Sequence, residues 1–142
     1  MGLALLKDAG IRLEQQALAP LRAAGSPEAR ITAMLAGVDA YYDGGARSCL
    51  LTVFALGPPH EAFDALIAQR LGEWIQLLAS TLQDTGLGKK ESKRCARDTV
   101  ARIQGAAVLA RALQDHKPFR QVLKRIGVEL GAATEKSRAP PG

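Results

Sequence analysis

The chain has 142 residues, 47% of them hydrophobic and 23% charged, with a formal net charge of +5. That length fits one domain hiding roughly 70% of its unfolded surface, enough to fold without staples. No apolar run approaches the roughly 18 residues of a membrane span. The start, Met1 to Asp8, has no basic flank ahead of a long apolar stretch, so it does not read as a secretory signal. Cys49 and Cys95 are too few and too isolated for a disulfide framework, and a reducing cytoplasmic setting is expected.

The chain reads as helix throughout. A first helix is predicted from Leu3 to about Arg22, with Leu6, Leu13 and Leu21 inward, bent or ended by Pro20 near Ala19. Ser26 and Pro27 restart the helix as cap and first residue. The second helix places Ile31, Met34, Leu35, Val38 and Tyr42 on one face and stops at Gly44 and Gly45. Ala46 to Leu56 (ARSCLLTVFAL) is a short apolar segment. Helix is preferred there because no strand elsewhere could pair with it. After Gly57, Pro58 and Pro59 comes the longest helix, ending at about Asp84. It turns Phe63, Leu66, Ile67, Leu71, Trp74, Ile75, Leu78 and Leu82 inward.

The last two helices are joined by the turn Gln114 to Pro118. The first carries Ala96, Thr99, Val100, Ile103, Ala107 and Ala110 at three-and-four spacing. A second stripe, Ala101, Gly105, Val108 and Ala112, lies beside it. The final helix repeats the pattern with Phe119, Val122, Leu123, Ile126 and Leu130. Two apolar stripes on one helix require more than one partner, so a second copy of the chain is expected. The dimer surface is assigned to Ile103, Ala107, Phe119, Val122, Leu123 and Ile126. The domain is drawn over residues 1–131, with 132–142 as a disordered tail.

Chemical signals are sparse. Gly86, Gly88 and Lys89 lack the spacing of a phosphate loop. His60 and His116 lie far apart in connections, so no metal site and no cofactor are expected. Cys49 reads as a buried small hydrophobe and Cys95 as an inert thiol, although Lys93, Arg94 and Arg97 could lower its pKa. Asp39 and Asp43 share a helix face but read as solvated carboxylates. The cluster Lys89 to Arg94 contains Glu91 and reads as a solvated face, so no nucleic-acid contact is expected. With no nucleophile, metal cluster or acid–base pair, the chain does not read as an enzyme. A candidate ligand cavity gathers Tyr42, Leu50, Phe54, Phe63, Ile67 and Trp74, with Arg70 and Gln104 as polar contacts, in the manner of pockets between bundle helices.

The segment Ala46 to Leu56, the run Arg102 to Asp115 (RIQGAAVLARALQD) and the closing Pro118 to Leu123 (PFRQVL) resemble the C-terminal regulatory domain of tetracycline-repressor-type (TetR family) transcriptional regulators. The resemblance is greatest to the lincomycin-resistance-regulator subgroup. Leu3 to Leu21 is similar to that family's connecting helix. The resemblance implies an all-α bundle of about six helices, orthogonal and antiparallel, sensing a small apolar ligand and dimerising through its last two helices. It also implies that the helix-turn-helix head would lie ahead of Leu3, outside this chain. The alternative is a non-sensing helical protein that pairs with itself or with a full-length repressor. The sequence names neither ligand nor operator.

Overall fold

A computed structural model describes residues 2–45 and 60–138. Every element among them is helical: α1 (Gly2–Leu13), a π-helical stretch (Glu14–Leu18), α2 (Ala19–Arg22), α3 (Pro27–Tyr42), a 3-10 turn (Asp43–Gly45), α4 (Glu61–Asp84), α5 (Lys89–Leu113) and α6 (Lys117–Arg138). The expected segment Ala46 to Leu56, with Leu50, Phe54 and Cys49, lies outside the described residues.

Pro20 does not end the first helix. It changes the helix's pitch. Proline has no N–H for the carbonyl four residues back, and its ring would collide with that carbonyl. The chain widens into π pairing just upstream, with the Ala19 N–H donating to the Glu14 carbonyl. The carbonyl of Gln16, four residues before Pro20, turns outward against α3. There it meets Gly37: a Cβ at that position would lie 1.6 Å from the Gln16 oxygen. The hydrogen in its place points at the carbonyl, a weak Cα–H···O contact. Two sequence features 17 positions apart, a proline and a glycine, thus let the π-helical stretch and α3 cross at backbone distance.

Helix boundaries follow their caps. The Ser26 hydroxyl accepts from the Ala29 N–H at 3.1 Å, with Pro27 in the first turn of α3. Asp43 and Gly44 take positive φ to close α3. Gly45 (φ +95°) passes so close to α5 and α6 that a Cβ would stand 2.8 Å from that of Ala110. His60 caps α4, its Nδ1 accepting from the Phe63 N–H, while its ring stacks on Phe63 with centroids 4.0 Å apart. Asp115 closes the last turn by accepting from the Lys117 N–H at 3.0 Å.

The two long hairpins α4/α5 and α5/α6 form the frame, and α3 packs across α4 and α6. Short connections make successive helices antiparallel neighbours. One core joins all of them. Trp74, Tyr42, Phe119, Leu6, Leu13, Leu18, Met34, Leu78 and Ile103 are its largest fully buried side chains, with Leu21 and Leu82. Of the stripe expected on α4, Ile67, Trp74, Leu78 and Leu82 are buried, and Phe63, Leu66, Leu71 and Ile75 pack partly buried against the core.

The expected boundary between 131 and 132 falls inside α6, which continues to Arg138. Within that continuation Thr134 is buried, and its hydroxyl donates back to the Gly131 carbonyl at 2.9 Å. A lone buried threonine among alanines and glycines gives no apolar periodicity, so the sequence pattern did not extend the helix that far.

Candidate functional site

The aromatic centre of the bundle is built at the junction of α3, α5 and α6. Tyr42, at the end of α3, is fully buried. Its ring meets Tyr41 edge-on at 4.9 Å and Phe119 at 5.3 Å. Burial obliges the phenol to find a partner, and its hydroxyl donates to Gln104 Oε1 at 3.1 Å. Two of the expected cavity residues are therefore in contact, as a polar pair set among aromatic rings. Trp74 is fully buried on α4 and directs its indole N–H at the sulfur of Met34, 3.3 Å away. Ile67 is buried and Phe63 half-buried on the same helix.

Arg70 points elsewhere. It lies along α1, where a Cβ on Gly10 would come within 3.0 Å of its Nε, and its Nη1 stands 3.6 Å from Glu73. Glu73 also faces Arg22, which pairs with Glu14, so the four residues form a neutral chain of charges linking α4 to the π-helical stretch. This is a structural strap for the first helix.

The six residues expected to meet a second subunit are placed differently from that expectation. Ile103, Ala107, Phe119, Leu123 and Ile126 are buried within the chain's own core, and Val122 packs against it half-buried. They are the faces by which α5 and α6 close on each other and on α3. The reason is local: α5 has two apolar stripes, and the one carrying Ala96, Val100, Ile103, Ala107 and Ala110 turns inward. The second stripe remains outside. Ala101, Gly105, Val108 and Ala112 are exposed, as are Leu109 and Leu113 beside them and Val128 on α6. Leu109 is 53% and Leu113 63% exposed, large values for leucines on a helix that packs into the core. The stripe's spacing was legible; Val128, flanked by glycine and glutamate, gave no signal.

The polar candidates are quiet. His116 holds the end of α3 through Nδ1, 2.9 Å from the Gly44 carbonyl, and no three metal-ligating side chains converge among the described residues. The thiol of Cys95 is pushed above its ordinary range, first by burial and then by the neighbouring Glu91 carboxylate, with Arg94 opposing. This agrees with the reading of Cys95 as an inert thiol: the lowering that Arg94 supplies is outweighed by burial and the Glu91 carboxylate. In a Cys49→Ser background, iodoacetamide should therefore label Cys95 more slowly than free cysteine at pH 8. Glu91→Gln should raise that rate by removing the negative neighbour; an unchanged rate would show that the carboxylate has no influence on the thiol.

No helix among the described residues is long and apolar enough to cross a membrane. Neither the curated proteins nor the solved structures contain a match to this chain. The family model for the transcriptional regulator LmrA/YxaF-like C-terminal domain matches residues 27–125, from the first residue of α3 into the middle of α6. That span holds the aromatic centre and the exposed stripe of α5 and covers well over half the sequence, so the chain belongs to the TetR-type family of regulatory C-terminal domains typified by LmrA and YxaF.

Proposed function

We propose that the chain is the sensing and dimerising half of a cytoplasmic TetR-type regulator and has no catalytic activity. In this reading a small apolar ligand sits against Tyr42, Ile67 and Trp74. The Tyr42–Gln104 pair orients it. Such sites combine a mostly apolar lining with a few placed polar groups. Ligand binding alters output only where it favours one subunit arrangement over another.

The observation that carries the reading is the exposed stripe Ala101, Gly105, Val108, Leu109 and Ala112 on α5. Small residues let helix axes approach closely, and the flanking leucines supply apolar area to bury. A two-fold pairing of this face with itself, supported at its edge by Val128 of α6, seals the surface that the monomer leaves open.

Sedimentation velocity tests this. The unaltered chain should run as a dimer, and Val108→Asp should convert it to a monomer with an unchanged helical circular dichroism spectrum. Ile103→Asp should instead abolish the fold, because it buries a charge in the subunit interior. A Val108→Asp protein that remains dimeric would remove α5 from the interface. For the sensing half, a thermal-shift screen of hydrophobic drugs, flavonoids and acyl compounds should give hits that raise the melting midpoint. Tyr42→Phe should weaken them; hits indifferent to that change would place the ligand elsewhere.

A further inference from the structure

A groove of about 570 Å³ runs along the outer seam of α4 and α5, away from the aromatic centre. Its volume lies within the range of small-molecule sites, roughly 300–1,000 Å³. Ile75 and Ala79 of α4 supply an apolar floor, with Gln76 and Ser80 along that wall. Gly72 widens one end, since a Cβ there would meet nothing within 4 Å. The opposite wall is cationic: Lys89, Lys93 and Arg97 stand at successive four-residue steps of α5, and among the described residues no acid lines the groove.

This charge pattern works against the helix that bears it. Like charges one turn apart repel, and Lys89 opens the helix where the macrodipole is already positive. The nearby carboxylates do not offset it. Glu91 pairs with Arg94, Asp84 with Arg30, and Glu73 with Arg22 and Arg70. Asp98 lines the neighbouring cleft beside Arg102. Among the described residues none of the three cations has an ion-pair partner. A row of unneutralised cations beside an apolar floor is complementary to an anion with an apolar body.

We infer that the α4/α5 groove is a second ligand site, taking a small amphipathic organic anion whose carboxylate or equivalent head lies along Lys93 and Arg97 and whose apolar body lies on Ile75 and Ala79. The site goes beyond the sensing role proposed for the bundle interior and stands or falls separately from it.

The test is a fluorescence titration of the full chain with 8-anilinonaphthalene-1-sulfonate, followed by displacement with decanoate. The unaltered chain should bind the dye and release it to decanoate. Lys93→Gln with Arg97→Gln should weaken dye binding tenfold or more without changing the circular dichroism spectrum or the sedimentation. Gly72→Phe should also weaken it, by filling the groove. Lys124→Gln with Arg125→Gln removes the same net charge from α6 and should leave binding unchanged. Dye affinity within twofold of the original in the Lys93/Arg97 variant would overturn the assignment. So would equal weakening in the Lys124/Arg125 variant, or displacement by a short DNA duplex but not by decanoate.

Discussion

Gly37→Ala is expected to destabilise the fold by roughly 3 kcal/mol or more, although the same exchange in an open helix is favourable. The added methyl would stand 1.6 Å from the Gln16 oxygen and 2.6 Å from its carbon. Both atoms are backbone, so no side chain can rotate away. Relief requires the π-helical stretch and α3 to separate, which opens the core around Leu13, Ala17, Leu18, Met34 and Val38. Gly72→Ala on α4 is the matched control. Its new methyl meets nothing, and it should stabilise by up to about 1 kcal/mol through helix propensity. Thermal unfolding would show the pair moving in opposite directions, with Gly37→Ala about 10 °C lower in midpoint. A Gly37→Ala protein as stable as the original would mean that the two helices do not cross at this point.

Trp74→Ala should cost about 3–5 kcal/mol, the range for emptying a buried indole site. Trp74 is fully buried and donates to the Met34 sulfur, so its loss leaves a cavity between α3 and α4 and removes a contact that fixes their register. Trp74→Phe keeps most of the apolar volume and should lose less than half as much. Trp74 is the sole tryptophan, so emission from the intact chain reports this site alone. It should be blue-shifted when folded and move to the red in one step with urea. Red-shifted emission from the folded chain would contradict the burial on which the estimate rests.

Much of the architecture was legible from apolar spacing. The stripe Ile31, Met34, Val38 and Tyr42 lies inward on α3 as its periodicity requires, and the Ser26–Pro27 start is a cap with the expected hydrogen bond. Periodicity gives the angle between stripes; it does not say which stripe turns inward when a helix has two. On α5 the exposed alternative, Ala101 to Ala112 with Leu109, is as apolar as the buried one, so neither bulk nor polarity marks the inward face. The interior took Ile103 and left Val108 outside. The pairing of Tyr42 with Gln104 was readable as a candidate grouping because both residue types suit a pocket. The Gln16–Gly37 contact was not, because it depends on a helix changing pitch and on two elements crossing. The cluster Lys89 to Arg94 was visible in the sequence and reads as a solvated face; that Lys89 and Lys93 share a wall with Arg97, without counterions, depends on where Glu91, Asp84 and Asp98 turn.

The widened turn at Glu14–Leu18 sets the azimuth of everything ahead of it. A π turn amounts to one surplus residue in an α-helical path, and each residue of an α-helix advances the direction of projection by about 100°. Removing one residue from this stretch would let ordinary pairing resume and swing residues 2–13 about their own axis by that angle. Leu6, Ala9 and Leu13, now buried, would be carried off the interior face. Any module joined to the amino end, native or fused, would be reoriented as a rigid passenger.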